Sequence, residues 1–340
     1  MIIVVSNRNV QVDPHSSTPV VGDETLFGDD FNEEGGPAEL RVAIAEPKKK
    51  HWKLTLLPDT VDDQGATATE KLFRDTLEKI RKGKLSRNWV VFQHGFNQTL
   101  AKNLKKAREI ESYGVNVIAF SWPSNPGPNG GFFKVVKNKR EEYARARANA
   151  RLSITASDRF MEKLVRYFKA SVQDDCPVSL SLCVHSLGNY LLQRTIEEAL
   201  FAKDLGIFDN IILHQADADN RGHSLWVDRL EDAKRVYVTI NLNDAILKAS
   251  TVVNGRRLGN TRQNLDARLP TYVDFSFGQN VGMEHRLFRP DIKNPVIKRF
   301  FRRVFNGKPG ENIPGLEYNP VMGAYQLTER PGETDMDENA

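Results

Sequence analysis

The stretch CVHSLGN (Cys183–Asn189) sets Ser186 between an apolar run, VSLSLCV, and a run with helical spacing that begins LGNYLLQRTIEEAL. A serine becomes a nucleophile when a neighbouring base takes its proton and donors receive the oxyanion formed on the attacked carbonyl. A strand that turns sharply into a helix serves both needs. The hydroxyl projects from the turn, and the next backbone N–H points into the same space. Small residues two before and two after the serine let strand and helix pass closely. Gly188 meets the second condition, whereas Val184 violates the first, its branched side chain being the wrong shape for a crowded elbow.

The chain holds seven histidines, of which only His214, His223 and His285 follow Ser186. His285 lies in QNVGMEHRLF, beyond the last predicted strand, where its imidazole can reach back to the serine as general base. The acid that would orient it is Asp244, in the loop NLND after the strand RVYVTIN. Asp217, after the strand NIILH, is the alternative acid, and Asp219 a weaker third choice. HGFN (His94–Asn97) follows the strand WVVFQ. The backbone amides of Phe96 and Leu187 are the expected oxyanion donors. His94, Gly95, Asn97, Trp122, His185, Gly188 and Asn189 are expected to line the site.

These residues share one feature: each follows a predicted strand. The strands are Trp89–Gln93, Val115–Phe120, Val178–Val184, Asn210–His214, Arg235–Asn241 and Tyr272–Phe277, preceded by Ile2–Val5, Leu40–Ala45 and Trp52–Leu57. Helical spacing is read over Thr69–Arg81, Thr99–Ser112, Phe132–Phe168 (as two helices), Leu187–Lys203, Ser224–Ala233 and Pro295–Phe305. Apolar strands alternating with amphipathic helices predict an α/β fold with a mostly parallel central sheet and helices on both faces. In such a sheet, ligands bind beyond the carboxyl ends of the strands. The expectation is one domain over residues 1–325, with N-terminal strands and a first helix in 1–85 and a small cap insertion at 124–151. An acidic, disordered tail is expected over 326–340.

Composition narrows the class. The 340 residues are 40% hydrophobic and carry a formal charge of +4, which permits contact with anionic lipid or nucleic acid without demanding it. No apolar run is long enough to span a bilayer. The opening MIIVVSNRNV has no basic n-region and no cleavage site, so no signal peptide is expected. Cys176 and Cys183 flank one strand, too far apart to bridge, and are expected to be reduced and buried in a cytoplasmic protein. No His/Cys/Asp grouping has metal spacing, so no metal or organic cofactor is expected. The basic run Lys134–Arg151 reads as a solvated helix face, and VIKRFFRRVFNGK as the last packing helix rather than a membrane-surface helix.

The segments HGFN, FSWPS (Phe120–Ser124), HSLGN, ADAD (Ala216–Asp219), NDAILKAS (Asn243–Ser250), RLGN (Arg257–Asn260) and the N-terminal SNRN (Ser6–Asn9) resemble a bacterial α/β-hydrolase family long catalogued as a domain of unknown function and described as esterase/lipase-like. The resemblance covers roughly residues 1 to 290. It implies an α/β-hydrolase domain with Ser186 as nucleophile, favours Asp244 over Asp217, and makes His285 the base. That family commonly carries alanine two before the serine, so a residue other than glycine at position 184 is expected. The function expected is a serine hydrolase that cleaves a carboxylic ester or related acyl bond, on a small-molecule or lipid substrate, with weak contact to anionic membranes. The alternatives are a non-catalytic scaffold of hydrolase fold and a basic-surface protein that binds anionic lipid or nucleic acid.

Overall fold

Strands such as NWVVFQ and NIILH present apolar side chains on both faces, and only a sheet covered on both sides can bury both. The computed structural model shows how this is met. It describes residues 1–13, 16–49, 51–61, 65–124, 132–173, 176–198 and 205–328, with the side chains of 132–139 outside the description. In chain order the strands are β1 (Ile2–Ser6), β2 (Arg8–Val10), β3 (Val20–Gly22), β4 (Phe27–Phe31), β5 (Arg41–Pro47), β6 (Trp52–Leu56), β7 (Asn88–Gln93), β8 (Asn116–Ser121), β9 (Ser179–His185), β10 (Asn210–His214), β11 (Val236–Ile240), β12 (Thr271–Asp274), β13 (Leu316–Asn319) and β14 (Ala324–Leu327). The helices are α1 (Ala68–Arg81), α2 (Leu100–Glu111), α3 (Phe132–Leu152), α4 (Ile154–Gln173), α5 (Gly188–Glu197), α6 (Ser224–Val227), α7 (Ala245–Asn254) and α8 (Pro295–Phe305).

One sheet runs β13-β14-β12-β11-β10-β9-β7-β8-β1-β5-β6-β3. From β14 through to β1 all neighbours are parallel, while β5, β6 and β3 on one edge and β13 on the other pair antiparallel. Strands β2 and β4 pair separately. The order reverses at β7: β8 lies on one side of it and β9 on the other. Helix α2, after β7, packs on one face, and α5, after β9, on the opposite face. Open α/β sheets bind ligands at such a reversal, here the carboxyl ends of β7 and β9. The residues just past those ends are His94 and Ser186.

The core forms two layers. Leu180, Leu182 and Val184 of β9 enter the layer with α1, α3, α4 and α5, and Cys183 enters the layer with α2 and α8. Helix α8 buries Phe300, Phe301, Val304 and Phe305 completely, so its apolar face is committed to the sheet. Both cysteines are buried and free. Among the described residues no helix is long and apolar enough to cross a membrane.

Several boundaries differ from the sequence expectation. Helix α7 is not anticipated by it; the helix starts where Asp244 caps it. Only Ser224–Val227 of the expected helix over 224–233 is α-helical, with a 3-10 turn after it. Strand β12 stops at Asp274. Gln326 and Leu327, expected in the tail, belong to β14, and residues 329–340 lie outside the described residues. Of the expected cap, 125–131 likewise lie outside them, and its described remainder is Ser124 and α3 up to Arg151, with Ala146 and Ala150 buried against the core.

Candidate active site

Ser186 has φ +57°, a left-handed conformation that side chains other than glycine occupy at a cost of about 1–3 kcal/mol. Its neighbours over-determine that conformation. The Ser186 N–H donates to the His214 carbonyl at 3.1 Å, and the Asp217 N–H donates to the Ser186 carbonyl at 3.1 Å. The Asn189 amide donates to the carbonyls of Val184 and Ser186, both at 3.0 Å. Two glycines make the turn possible. A Cβ on Gly188 would sit 2.7 Å from the His94 carbonyl, and one on Gly95 would sit 2.6 Å from the Ser186 Cβ and 2.9 Å from the Leu187 nitrogen. Val184 is not at this tight point. Strand alternation turns its side chain into the apolar layer with Leu187, Leu191 and Leu213. The turn thus forms with valine there, because the close approach is between α5 and the end of β7.

His285 Nδ1 lies 2.6 Å from Asp244 Oδ2. Asp244 is fully buried at the start of α7, and its Oδ1 accepts the N–H groups of Ile246 (2.9 Å) and Leu247 (3.0 Å). One oxygen therefore caps the helix and the other holds the imidazole. The carboxylate accepts from Nδ1–H, so in the neutral imidazole Nε2 is the acceptor nitrogen. The His285 ring sits 4.7 Å from the ring of His185, the residue before Ser186. Among the described residues the Ser186 hydroxyl makes no hydrogen bond. Serine–imidazole contacts commonly close only when substrate binds.

The loop carrying His285 is tethered by residues that the sequence reading left without this role. His185 Nε2–H donates to the His285 carbonyl at 3.0 Å, and the Leu287 N–H donates to His214 Nε2 at 3.1 Å. His214 Nδ1–H in turn donates to Thr239 Oγ1 at 2.8 Å. The Asn241 amide donates to the carbonyls of Gly282 (3.1 Å) and Glu284 (2.9 Å). Burial, with smaller repulsion from nearby cationic groups, pushes His185 and His214 well below the ordinary histidine value, so both stay neutral. No residue type or spacing in the sequence signals these partnerships.

His94, expected to line the site, is a buried bracket between β7 and β8. Its Nδ1–H donates to the Gly95 carbonyl (2.9 Å), its Nε2 accepts the Trp122 N–H (3.1 Å), and its ring stacks on Trp122. Burial holds it neutral as well. Trp122 is fully buried and Asn97 is an exposed left-handed turn residue (φ +56°). Among the described residues neither the Phe96 nor the Leu187 N–H donates a hydrogen bond. Asp217 is committed elsewhere. Its carboxylate accepts from Arg257 Nε (2.9 Å), Ser250 Oγ (2.6 Å) and Tyr143 OH (2.8 Å). Tyr143 on α3 also packs edge-on against Phe96. His223 donates from Nδ1 to the Asn220 carbonyl and accepts the Tyr272 hydroxyl at Nε2.

The family model described as an alpha/beta hydrolase of unknown function (DUF900) matches residues 66–274, more than half of the chain. The chain belongs to this family. No curated protein and no solved structure matches it. The matched segment of this α/β hydrolase contains Ser186, Asp217 and Asp244, while His285 lies beyond its end. Two of the sequence motifs interlock within it: RLGN supplies Arg257 to the carboxylates of Asp217 and Asp219 in ADAD, and the Leu258 and Gly259 N–H groups bond the Ala218 and Ala216 carbonyls. A Cβ on Gly259 would fall 2.3 Å from the Ala216 nitrogen, so only glycine fits. SNRN and FSWPS interlock likewise through buried Arg8, which donates to Ser121 Oγ and the Trp122 carbonyl. Among the described residues no group of three His, Cys, Asp or Glu side chains could hold a metal ion.

Proposed function

We propose that this α/β hydrolase is a serine hydrolase that cleaves a carboxylic ester or related acyl bond, of a small molecule or a lipid, through an acyl-enzyme on Ser186. The reading rests on one observation above the others. His285, held through Nδ1 by the buried Asp244 carboxylate, is the histidine after Ser186 whose Nε2 has no partner among the described residues, and its ring lies beside that of His185 in the serine turn. In the mechanism, Ser186 Oγ attacks the carbonyl carbon as His285 Nε2 takes the hydroxyl proton. Asp244 keeps the proton on Nδ1 and offsets the imidazolium charge. The amides of Phe96 and Leu187 receive the developing oxyanion. His285 then passes its proton to the departing alcohol. Water, deprotonated by the same nitrogen, attacks the acyl carbon, and the acid leaves as Ser186 regains its proton. Two free buried thiols accord with a cytoplasmic setting.

The test is covalent labelling with a fluorophosphonate probe, together with turnover of p-nitrophenyl esters of graded chain length. Labelling that disappears in Ser186→Ala is expected. A folded wild-type protein that the probe never labels would instead support the scaffold reading.

A further inference from the structure

Helix α7 buries Leu247 and Ser250, and its Asn254 bonds back to Ser250 and to Arg147 of α3. Its other side faces water and carries Ala245, Ile246, Ala249, Val252 and Val253, all exposed. At 3.6 residues per turn these five form one continuous stripe with no polar side chain in it. The water-facing side of a surface helix is ordinarily charged or polar. Here Ile246, Val252 and Val253 leave 54%, 77% and 52% of their surface in solvent. Met283 extends the stripe at its start: it is 70% exposed, and its carbonyl accepts the Ala245 N–H at 3.4 Å.

Cations border the stripe. Lys248 flanks it on α7, Arg256 follows the end of the helix, and Arg221 adjoins Asn220, whose N–H donates to the Arg256 carbonyl at 3.0 Å. All three are exposed, and among the described residues none of them pairs with a carboxylate. Three carboxylates close to them in the chain are already engaged: Asp244 with His285, Asp219 with Arg257 and Glu284 with Arg289. The stripe is about 15 Å long and one helix wide, too small by itself for the ~800 Å² per partner that a stable dimer buries. Apolar side chains edged by unpaired cations are what a membrane-surface helix presents: the first sink to the acyl boundary while Lys and Arg stay among the headgroups.

We infer that the exposed face of α7 docks the protein on an anionic lipid surface. Ile246, Val252, Val253 and Met283 enter the acyl boundary, and Lys248, Arg256 and Arg221 meet the lipid phosphates. Docking does not depend on any reaction at Ser186. It sets against the lipid the helix that starts at the carboxylate holding His285.

The experiment is co-sedimentation of the full chain with phosphatidylcholine vesicles, with and without phosphatidylglycerol, beside sedimentation velocity of the protein alone. Wild-type protein is expected to bind the vesicles that contain phosphatidylglycerol, and less so as salt is raised. Val252→Ser with Val253→Ser is expected to weaken binding at least tenfold, and Lys248→Gln and Arg256→Gln about fivefold each. All four positions are exposed, so thermal unfolding should match wild type. Ser186→Ala should bind vesicles as wild type does, so failure of docking and failure of the proposed reaction are read separately. The inference is overturned by no binding to anionic vesicles at low salt, or by binding indifferent to the valine pair, which would place the contact elsewhere on the basic surface. Equal binding to vesicles of phosphatidylcholine alone would overturn the role of the cations. A dimer that the valine pair dissociates and that binds no vesicles would overturn the inference too, by assigning the face to a second copy.

Discussion

Asp244→Asn changes the chemistry of the proposed site while leaving its shape nearly intact. Oδ1 of Asp244 accepts two backbone N–H groups, at 2.9 and 3.0 Å. In the variant the amide oxygen must keep that place, because an NH2 there would face two donors. The NH2 therefore takes the position of Oδ2, 2.6 Å from Nδ1 of His285. Nδ1 must then accept, and the ring proton moves to Nε2, the nitrogen that has to receive the serine proton. Asparagine caps helices about as well as aspartate, so stability should change by under about 1 kcal/mol. The rate should fall by about 10³–10⁴, as for loss of the tautomer-fixing carboxylate in a serine triad, which is ~4–5.5 kcal/mol of barrier. The assay is the fluorophosphonate labelling rate and ester turnover, measured beside thermal unfolding. A folded variant within about tenfold of wild type would refute the assignment of Asp244. Asp217→Asn is the contrast. It weakens the hold on the fully buried Arg257 guanidinium, at a cost of up to about 3–5 kcal/mol, or roughly 4–7 °C in a chain of this length. Its effect on labelling of the folded fraction should be far smaller.

Gly188→Ala forces a Cβ to within 2.7 Å of the His94 carbonyl and 2.9 Å of the Gln93 carbonyl. The expected cost is ~1–3 kcal/mol, with about a hundredfold loss of labelling because the end of β7 carries the Phe96 donor; wild-type unfolding and labelling together would sink this account of the turn. Val184→Ala should cost ~2–3 kcal/mol as a core deletion and leave labelling within about threefold, whereas a large gain in labelling would mean that Val184 obstructs the turn after all. The buried, neutral His94, His185 and His214 make stability depend on pH. Their folded values lie below the unfolded value of about 6.5, so below that pH the unfolded chain binds more protons. Stability is then full above about pH 6.5 and falls by up to ~1.4 kcal/mol per pH unit for each histidine as the medium is acidified. Denaturant midpoints at pH 7.5 and pH 5 check this, and equal midpoints would contradict it.

The strand ends were the legible part of the site. WVVFQ, NIILH and RVYVTIN are apolar runs bounded by polar turns, so the residues just past them could be read as neighbours on one edge of one sheet. The sharp turn at Ser186 was legible through Gly188, though its left-handed backbone and the partners of that glycine, the Gln93 and His94 carbonyls, were not. Helix α7 was missed because Asp244 looked like a loop carboxylate, whereas the same group also starts the helix. The β13–β14 hairpin has no strong pattern in LEYNPVMGAYQL, and its pairing to β12 comes from tertiary contact.

The histidines show most clearly where sequence reasoning stops. Chain order alone leaves His214, His223 and His285 as candidate bases, and residue type cannot separate them. The separation lies in which ring nitrogen each neighbourhood leaves open. His214 accepts a backbone N–H at Nε2 and donates from Nδ1, and His223 is likewise engaged at both nitrogens. His285 donates from Nδ1 to a carboxylate, and among the described residues Nε2 has no hydrogen-bond partner. A neutral imidazole with both nitrogens satisfied inside the core positions the chain; one with its basic nitrogen free can take a proton. On that criterion His214 holds the loop and, in the proposed mechanism, His285 is the base; His185, whose Nδ1 is buried with no hydrogen-bond partner, tethers the loop through Nε2 alone and is kept neutral by burial.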